Sequence, residues 1–595
     1  MNIKMDFKDW NMDRSDIKYL VFITIISTLL VAYMIDFNLK LGIYCSDVLI
    51  YLTNSLRFAG VNLGYGSDMS LSPVICFLSS LLIRLGLKGE ISIYIITGIF
   101  AIIGNLGLYC LLKVRFDSLL SLTGAILFSS FSLNVLWLAN GTLDIPAVAV
   151  SIWAIFFTII ASKNSVYYIL AIPLWVIAVF TRYTALLMIA FMVLYYLFEK
   201  DFIGKVDLIF SRKISFENKK SQAVNYFKSE EFKSIFKGCL ISIILILIFV
   251  IAIHLFGSRL TFLSQSSSIA SGSKGSVIDN AYSTDTFFYI HDFLNFLYTN
   301  KVIFSERIPN LVGVGPLAYL IGIILVSGLF KGAIDFFKTF SLKRLINENG
   351  TYSHRYLSKK CLLSYLILSL LLVVLSFSFN SLVSIIFLLI FSIVLYALLV
   401  NLDGYLNNGL NGNLTYSSNQ KLNVLFFAWF FSYLIFFTFL DIKVNRYIIT
   451  ALPAFAYFFI LALEYLLDYI EKLISHSKSK FNLQRIIPII LIILAIFAAF
   501  SFAGCVEIDD TIKSPEIMAD YLIHYDDNYS SKEVAVYNTR YYNWLLKMNT
   551  IPLEDKNIDY LEESNITYYI SDNPWDLKNY DLVHKENNLY LYKHK

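Results

Sequence analysis

The chain has 595 residues, of which 57% are hydrophobic and 16% aromatic, and its mean hydropathy is +0.64. Soluble proteins of this length do not reach such values, so the composition predicts a polytopic membrane protein. The net charge of +4 is too small to indicate nucleic-acid binding. The basic residues cluster in loops between apolar segments, and this placement is typical of membrane topology.

Thirteen apolar runs in the sequence are long enough to cross a bilayer. They lie at residues 18–38, 91–112, 117–138, 145–162, 165–180, 183–198, 238–256, 315–334, 362–379, 381–400, 422–440, 447–470 and 486–504. The predicted fold is therefore a polytopic α-helical membrane protein with about thirteen transmembrane helices.

The stretch GIYCSDVLIYLTNSLRFAG, residues 42–60, follows the first of these runs. At 100° per residue, its side chains divide between two helix faces. One face is formed by Asp47, Tyr51, Asn54 and Phe58, and the other by Val48, Leu52, Leu56 and Ala59. We expect an amphipathic helix that lies against the membrane surface and has an acidic residue at its start.

The basic loops orient the chain in the membrane. Residues 199–237 and 331–361 are rich in lysine and arginine, and the positive-inside rule places both in the cytoplasm. This placement requires the apolar stretch 71–89 to be a juxtamembrane helix in the outer surface and not a span. The N-terminus is then cytoplasmic, and five segments lie outside: 39–90, a short loop at 139–144, 257–314, a short loop at 440–446 and 505–595.

Residues 505–595 differ in character from the membrane part, residues 1–504. The stretch SPEIMADYLIHY has a proline near a helix start, and EVAVYN, ITYYIS and NLYLYK alternate as strands do. These patterns predict a small extracytoplasmic α/β domain, which at roughly 90 residues can bury a modest core.

Charged residues at the outer ends of membrane helices are the candidates for chemistry, because a charge in a membrane segment is costly. Asp47 and Asp144 stand at predicted helix starts, where an acid also serves as an ordinary N-terminal cap. Arg182 and Arg446 stand at predicted outer helix ends, where an arginine also extends its head group to the interface. The functional alternative is a group-transfer site, in which acids handle a hydroxyl and arginines hold a phosphate leaving group.

The six cysteines are far apart in the sequence, and none belongs to a CxxC motif or to a cluster with histidine. A structural metal site is therefore not expected. Cys45 and Cys76 share the predicted outer loop 39–90, so a disulfide between them is an open alternative.

Five short motifs resemble, in order and in predicted sidedness, those of the glycosyltransferase C superfamily, the polyprenyl-phosphate-dependent membrane enzymes. The motifs are SDVLIYLTNSLRFAG, SPVICFLSSLLIRLGLKG, NGTLDIPAVAVSIWAI, FTRYTALLMIAF and NRYIITALPAFAY. Within the superfamily, the chain is most similar to the family-39-type transferases and to the aminoarabinose transferases that modify lipid A. The number of spans and the external C-terminal domain also fit the aminoarabinose-transferase type.

The resemblance implies roles for named residues. Asp47 would be the catalytic acid of the first outer loop, and Asp144 the supporting acid of the second. Some members of the superfamily bind a divalent metal at these acids, so magnesium or manganese at Asp47 and Asp144 is an open alternative. The candidates for binding the substrate or the departing lipid phosphate are Arg182, Arg446, Tyr51 and Arg57.

The sequence also departs from the family pattern. The first-loop motif is Ser-Asp-Val and lacks the Asp-Glu pair typical of protein O-mannosyltransferases, so a protein acceptor is in doubt. The segment before Pro73 is MSLSP, where a double proline is more usual. The acceptor therefore stays open among a lipid, a glycan and a protein.

Together these features predict a membrane glycosyltransferase that moves a sugar from a polyprenyl- or dolichyl-phosphate donor to an acceptor on the outer face, by inverting attack assisted by Asp47. A lipid-borne donor fits the lack of a Gly-rich phosphate loop in the sequence. The main alternative is a transporter or flippase of lipid-linked saccharides, which should show internal repeats and charges midway across the membrane. A catalytically inactive protein that keeps the fold is a third alternative.

Overall fold

The chain forms a bundle of apolar helices followed by a small β-rich region. The computed structural model describes residues 10, 12–61, 63, 73–200, 227–255, 285–305, 308–339, 359–377, 380–407, 415–440, 443–474, 483–508, 510–553 and 558–595. The helices are Ile17–Leu41, Ser46–Phe58, Pro73–Arg84, Gly89–Lys113, Ser118–Ser130, Ser132–Leu136, Asp144–Ile160, Tyr168–Thr181, Met188–Glu199, Glu230–Leu255, Phe288–His291, Phe293–Leu297, Pro316–Thr339, Lys359–Ser376, Ser381–Asn407, Thr415–Thr438, Leu452–Ile474, Leu483–Ser501, Ser514–Tyr525, Thr539–Leu546 and Ile558–Glu563.

By length and composition, eight helical segments within the described residues are able to cross a membrane. They are Arg14–Leu41, Gly89–Lys113, Glu230–Leu255, Pro316–Asp335, Ser381–Val400, Asn419–Thr438, Asn445–Leu473 and Leu483–Cys505. The remaining predicted spans are shorter apolar helices, at Ser118–Ser130, Asp144–Ile160, Ser165–Thr181, Tyr183–Glu199 and Cys361–Ser376. A multi-helical membrane protein is confirmed, whereas only eight of the thirteen predicted runs reach full spanning length.

The stretch 71–89 was predicted to lie along the membrane and not to cross it. It contains a helix of 12 residues, Pro73–Arg84, which is too short to span a bilayer. The basic loops that set the predicted orientation fall largely outside the described residues, at 201–226 and 340–358. The orientation therefore stays a prediction.

Two glycines bring the start of the helix Asp144–Ile160 against its neighbours. A Cβ atom on Gly104 would lie 2.9 Å from the Cβ of Ala149, so the helix Gly89–Lys113 packs on Asp144–Ile160 more closely than larger residues allow. Gly141, at a φ of +88°, lies so close to Val48 that a Cβ would be 2.7 Å from its Cγ1. These close approaches join residues 139–144 to the helix Ser46–Phe58, called the first-loop helix below.

The predicted span 117–138 is interrupted. The helix Ser118–Ser130 ends at Phe131, whose ψ of 132° is extended, and the short helix Ser132–Leu136 follows. The hydroxyl of Ser132 accepts a hydrogen bond from the backbone N–H of Thr299 at 3.0 Å. The interruption therefore provides a docking point for a segment of the outer loop, which an unbroken helix would not offer.

That segment is a β-hairpin, which the sequence patterns did not reveal. Strand β1 (Thr299–Ser305) pairs antiparallel with β2 (Ile308–Val314) and parallel with β3 (Val506–Glu507). The amide of Asn445 donates to the carbonyl of Pro309 at 2.7 Å. The hairpin thus ties the outer loop both to the chain beyond the last long helix and to the segment next to Arg446.

Residues 505–595, called the tail below, contain a five-stranded sheet in the order β5-β4-β6-β8-β7. Its strands are β4 (Val534–Val536), β5 (Ile551–Pro552), β6 (Tyr568–Ser571), β7 (Tyr580–Glu586) and β8 (Leu589–His594). The strands predicted in EVAVYN, ITYYIS and NLYLYK are confirmed as β4, β6 and β8, and the predicted helix is confirmed as Ser514–Tyr525. The domain boundary at residue 504 stays a prediction.

Candidate active site

The first-loop helix is enclosed by protein on both faces. Val48 and Leu52, from one predicted face, and Tyr51, from the other, are all buried. The helix Pro73–Arg84 and the tail helix Thr539–Leu546 pack against it. The predicted helix is confirmed as Ser46–Phe58, but neighbouring helices and the tail cover the face assigned to the membrane surface. Its position relative to the membrane stays a prediction.

Asp47, at the start of the first-loop helix, is paired with Arg446. Arg446 Nη2 lies 2.5 Å from Asp47 Oδ2, and Arg446 Nη1 donates to the sulfur of Cys45 at 3.1 Å. The first-loop helix has no side-chain cap, and its N-cap residue is Cys45. Asp47 is therefore not a capping residue, since its carboxylate contacts an arginine 399 residues away in the chain.

Asp144 is fully buried between two arginines. Its Oδ2 atom accepts a hydrogen bond from Arg182 Nη1 at 3.0 Å and lies 3.9 Å from Arg446 Nε. No side chain caps the helix Asp144–Ile160 either. Because Arg446 contacts both acids, Asp47, Asp144, Arg182 and Arg446 form one group, called the charged cluster below.

The two arginines do not extend to the interface. The side chain of Arg182 is only 9% exposed, and that of Arg446 only 8%. Arg182 lies over the ring of Tyr447 at 5.3 Å, and Arg446 over the ring of Trp137 at 5.5 Å. Ion pairs and cation–π contacts thus hold both guanidinium groups inside the protein, which excludes interfacial snorkelling for either.

Helix ends place the arginines in the charged cluster. The helix Tyr168–Thr181 ends before Arg182, whose φ of −153° is extended. Arg446 lies in a 3-10 segment, Asn445–Ala451, that precedes the long helix Leu452–Ile474. The indole N–H of Trp137 donates to the side chain of Asn445 at 3.0 Å and holds this segment in place. All four members of the charged cluster therefore come from helix ends, and the cluster lies at one end of the bundle.

Arg540, a residue of the tail helix, also reaches Asp47, and the sequence analysis missed it. Its Nη1 atom lies 3.6 Å from Asp47 Oδ1, and its side chain is 50% exposed. Nothing in the local pattern TRYYNWLL marks this arginine, because its importance depends on how the tail docks on the first-loop helix. Only the docked arrangement identifies it as part of the site.

The electrostatic setting of the first-loop helix favours an ionised Asp47. Burial raises the pKa of its carboxyl, but Arg446, together with Arg182 and Arg540, outweighs burial and holds the pKa below its usual value. Burial raises the pKa of Tyr51 well above its usual value, with the charge of Asp47 acting in the same direction. At neutral pH the site therefore offers a carboxylate beside a protonated tyrosine hydroxyl.

Within the part of the chain that the structure describes, three buried polar atoms of the site have no hydrogen-bond partner: Tyr51 Oη, Asp144 Oδ1 and Arg446 Nε. Buried polar groups in proteins are nearly always paired, and leaving one unpaired costs about 1–3 kcal/mol. The Tyr51 hydroxyl and Arg446 Nε are donors, and Asp144 Oδ1 is an acceptor. Such atoms beside two acids and two arginines are typical of a binding site for a polar, anionic ligand. The structure thus brings together five of the predicted site residues: Asp47, Asp144, Arg182, Arg446 and Tyr51.

Arg57, the sixth predicted site residue, is not in the charged cluster. It lies at the opposite end of the first-loop helix, about 15 Å from Asp47 along the axis at 1.5 Å per residue. Cys45 and Cys76 both carry free thiols, so the disulfide left open above is not formed.

Magnesium or manganese at Asp47 and Asp144 stays a prediction. Asp47 and Asp144 each contact an arginine, and in the part of the chain that the structure describes no third His, Cys, Asp or Glu joins them. Magnesium is usually bound through one or two carboxylates together with waters and substrate phosphates, and these two residues are the ones that would supply the carboxylates.

Comparison with known proteins gives a family match for part of the chain. Residues 70–208 match the family model described as dolichyl-phosphate-mannose-protein mannosyltransferase. This segment contains Asp144 and Arg182 but neither Asp47 nor Arg446. Over the matched segment, the predicted resemblance to lipid-phosphate-sugar-dependent membrane glycosyltransferases is confirmed. A comparison with curated proteins gives no match.

Solved structures of membrane transferases resemble the chain over most of its length. The Archaeoglobus fulgidus oligosaccharyltransferase in the apo form is 13% identical, with 94% of this chain and 69% of that chain covered and a TM-score of 0.46. ArnT from Cupriavidus metallidurans bound to undecaprenyl phosphate is 10% identical, with 96% and 97% covered and a TM-score of 0.47. Both TM-scores are below 0.5, so these likenesses carry no argument about the site.

Proposed function

We propose that this protein is a membrane glycosyltransferase that transfers a sugar from a polyprenyl- or dolichyl-phosphate donor to an acceptor on the outer face of the cell membrane. The observation that carries the proposal is the charged cluster, in which Asp47, Asp144, Arg182 and Arg446 converge from distant stretches of the chain. The family match of residues 70–208 supports the same reaction class. The acceptor is a lipid, a glycan or a protein.

Asp47 is the group proposed to act on the acceptor. A hydroxyl or amine of the acceptor attacks the anomeric carbon of the sugar, the bond from that carbon to the phosphate oxygen breaks, and the phosphate leaves with the electron pair. The acceptor proton passes to the Asp47 carboxylate, and the anomeric configuration inverts. Because its lowered pKa makes Asp47 a weak base, it orients the acceptor first and takes the proton only as the new bond makes that proton acidic.

The arginines are proposed to stabilise the departing phosphate. Arg182 and Arg446 are already oriented by Asp144, so little reorganisation is needed when negative charge develops on the leaving group. Their buried positions exclude water and strengthen the interaction with an anion. The free hydroxyl of Tyr51 supplies a further donor in the same place.

The position of the charged cluster favours the enzyme over the transporter. Asp47 follows the end of the full-length helix Ile17–Leu41, and Arg446 lies at the start of the full-length segment Asn445–Leu473. The cluster therefore lies at one end of the long helices, whereas a transporter binds its substrate near the middle of the membrane. The proposed orientation, with a cytoplasmic N-terminus and an external tail, puts the cluster at the outer leaflet, where a lipid-borne sugar is accessible.

The decisive experiment compares wild-type protein with Asp47→Asn. Purified protein in lipid bilayers is given a panel of polyprenyl-phosphate sugars and acceptor fractions from cell envelopes, and release of free polyprenyl phosphate is measured. We expect acceptor-dependent release by the wild type and a loss of about a hundredfold or more in Asp47→Asn, the scale of losing an acid–base group. Asp36→Asn is the matched control, since exposed Asp36 pairs only with Lys40 one turn away in the same helix.

Two results would contradict the proposal. Release that Asp47→Asn and Asp36→Asn reduce equally would remove Asp47 from the reaction. No release by any of the proteins, together with movement of lipid-linked saccharides across the bilayer, would leave the transporter as the better account.

A further inference from the structure

Asp47 is held from two sides by two separate parts of the chain. Arg446, from the helix bundle, contacts its Oδ2 atom at 2.5 Å. Arg540, from the tail, lies 3.6 Å from its Oδ1 atom. Each oxygen of this carboxylate thus faces a different guanidinium group, and the tail reaches the charged cluster directly.

The tail helix Thr539–Leu546 is fixed in place, so the contact of Arg540 is part of the fold. The hydroxyl of Tyr541, the next residue, donates to the carbonyl of Ile43 at 3.0 Å. Trp544, one turn on, lies in the same buried apolar cluster as Leu52 of the first-loop helix, and a Cβ on Gly89 would lie 3.5 Å from its indole ring. Arg540 therefore projects from a docked helix whose following residues contact the rest of the protein.

Arg540 also changes the charge balance of the site. Asp47 and Asp144 balance Arg182 and Arg446, so these four groups carry no net charge when all are ionised. Arg540 adds one positive charge beside them and keeps half of its side chain accessible. Its pairing with Asp47 contributes little to stability, since partly exposed ion pairs contribute about 0.2–1 kcal/mol.

The neighbouring buried atoms indicate a missing ligand. Among the described residues, the buried hydroxyl of Tyr51 has no hydrogen-bond partner, and the buried Arg446 Nε makes no hydrogen bond, with Asp144 Oδ2 3.9 Å away. Both are donors, and donors that make no hydrogen bond beside a surplus cation suit an anion rich in acceptor oxygens. A phosphate group has that chemistry.

We propose that Arg540 is a phosphate-binding residue supplied by the tail, so that the site binds the phosphate of a lipid carrier at full strength only when the tail is docked on the first-loop helix. This inference rests on the proposed function for the identity of the lipid carrier. The inference adds Arg540 to the site, so the tail contributes a residue that binds the phosphate in addition to covering the first-loop helix.

Direct binding tests the inference without requiring turnover. Full-length protein in nanodiscs of zwitterionic lipid is titrated with undecaprenyl phosphate, and in parallel with undecaprenol, which lacks the phosphate. The variants are Arg540→Gln, Arg540→Lys and the matched control Lys585→Gln, which removes a tail cation that lies over the ring of Tyr590.

We expect Arg540→Gln to weaken undecaprenyl phosphate binding about tenfold, equivalent to about 1.4 kcal/mol at 25 °C. Arg540→Lys should recover part of that loss because it keeps the charge but not the planar fork. Lys585→Gln should bind as the wild type does, and undecaprenol binding should be the same in all four proteins. Added salt should narrow the gap between wild type and Arg540→Gln.

Two outcomes would overturn the inference. One is equal binding of undecaprenyl phosphate by Arg540→Gln and Lys585→Gln. The other is an equal loss of undecaprenyl phosphate and undecaprenol in Arg540→Gln, which would indicate disturbed docking of the tail. The two proposals fail in different experiments. The proposed function fails if no sugar transfer is measured, whereas the role of Arg540 is tested by phosphate-dependent binding, which does not require sugar transfer.

Discussion

Two buried carboxylates, Asp16 and Asp144, differ in how completely their oxygens are hydrogen-bonded. Both are completely buried. Asp16 Oδ1 accepts hydrogen bonds from Tyr109 at 2.7 Å and from Ser118 at 2.5 Å, and its Oδ2 accepts the backbone N–H of Asp13 at 2.7 Å. Asp144 pairs through Oδ2 only, and its Oδ1 has no partner.

The difference is the one we expect between a structural carboxylate, Asp16, and the proposed functional one, Asp144. The partners of Asp16 satisfy both of its oxygens, so its network is closed and has no need of a ligand. The network of Asp144 is incomplete, and so are the Tyr51 hydroxyl and the Arg446 Nε beside it. Asp16 and Asp144 are alike in burial and in charge. They differ in how many of their carboxylate oxygens have a hydrogen-bond partner.

The largest expected contrast comes from removing each charge in turn. In Asp144→Asn, Arg182 and Arg446 lose the anion that orients them, and we expect turnover per folded molecule to fall about a hundredfold, the loss seen when preorganised electrostatic groups are removed. In Asp16→Asn we expect turnover per folded molecule to stay within about twofold. Turnover is measured as release of polyprenyl phosphate and normalised to folded protein. Equal losses in the two variants would mean that the incomplete network has no special role.

Tyrosine hydroxyls give a second contrast of intermediate size. Tyr109→Phe removes a donor to Asp16, which should cost about 1.5–3 kcal/mol of stability because the bond is to a charged group, without changing turnover. Tyr51→Phe removes a buried hydroxyl that has no hydrogen-bond partner among the described residues, so we expect the ligand-free protein to become more stable, by up to about 1–3 kcal/mol, but to bind undecaprenyl phosphate about tenfold more weakly. Thermal unfolding in nanodiscs and the binding titration measure the two effects. A destabilised Tyr51→Phe would show that this hydroxyl is already satisfied in the ligand-free protein.

The smallest expected effect concerns a third carboxylate, at the surface of the tail. Hydrogen bonds from Lys532 and Tyr568 lower the pKa of Asp526 to about 2. Because the unfolded value is higher, at about 3.9, this pairing stabilises the tail fully above about pH 4 and is lost as the pH falls towards 2. The wild type should therefore unfold at a higher temperature than Asp526→Asn at pH 7, and this gap should shrink at pH 2.5. The neighbouring Asp527→Asn serves as control, and a gap that does not depend on pH would contradict the assignment.

Much of the architecture follows from local patterns. The apolar runs each contain a helix, and the turn at Arg182 falls between the predicted runs 165–180 and 183–198. In the tail, the proline-led helix Ser514–Tyr525 and the strands β4, β6 and β8 occur as predicted. These features depend on hydrophobic periodicity and on helix-start residues, which are properties of neighbouring positions.

Other features depended on partners far away in the chain. The first-loop helix has the pattern of a surface helix, yet the tail buries it. The hairpin β1–β2 is stabilised by docking on Ser132 and by pairing with β3, neither of which its own residues indicate. Arg57 and Tyr51 were both predicted to bind substrate. In the structure Tyr51 lies one turn from Asp47, whereas Arg57 lies at the other end of the first-loop helix.

The sequence by itself determined a multi-helical membrane protein with a small α/β tail, and it predicted a group-transfer site made of two acids and two arginines at helix ends. Periodicity, length and the cost of a charge near the membrane suffice for those conclusions. Tertiary structure alone decided that Arg446 bridges both acids, that Arg540 reaches Asp47 from the tail, and that some buried polar atoms stay unpartnered. These are distances between residues hundreds of positions apart, and only the packed fold defines them.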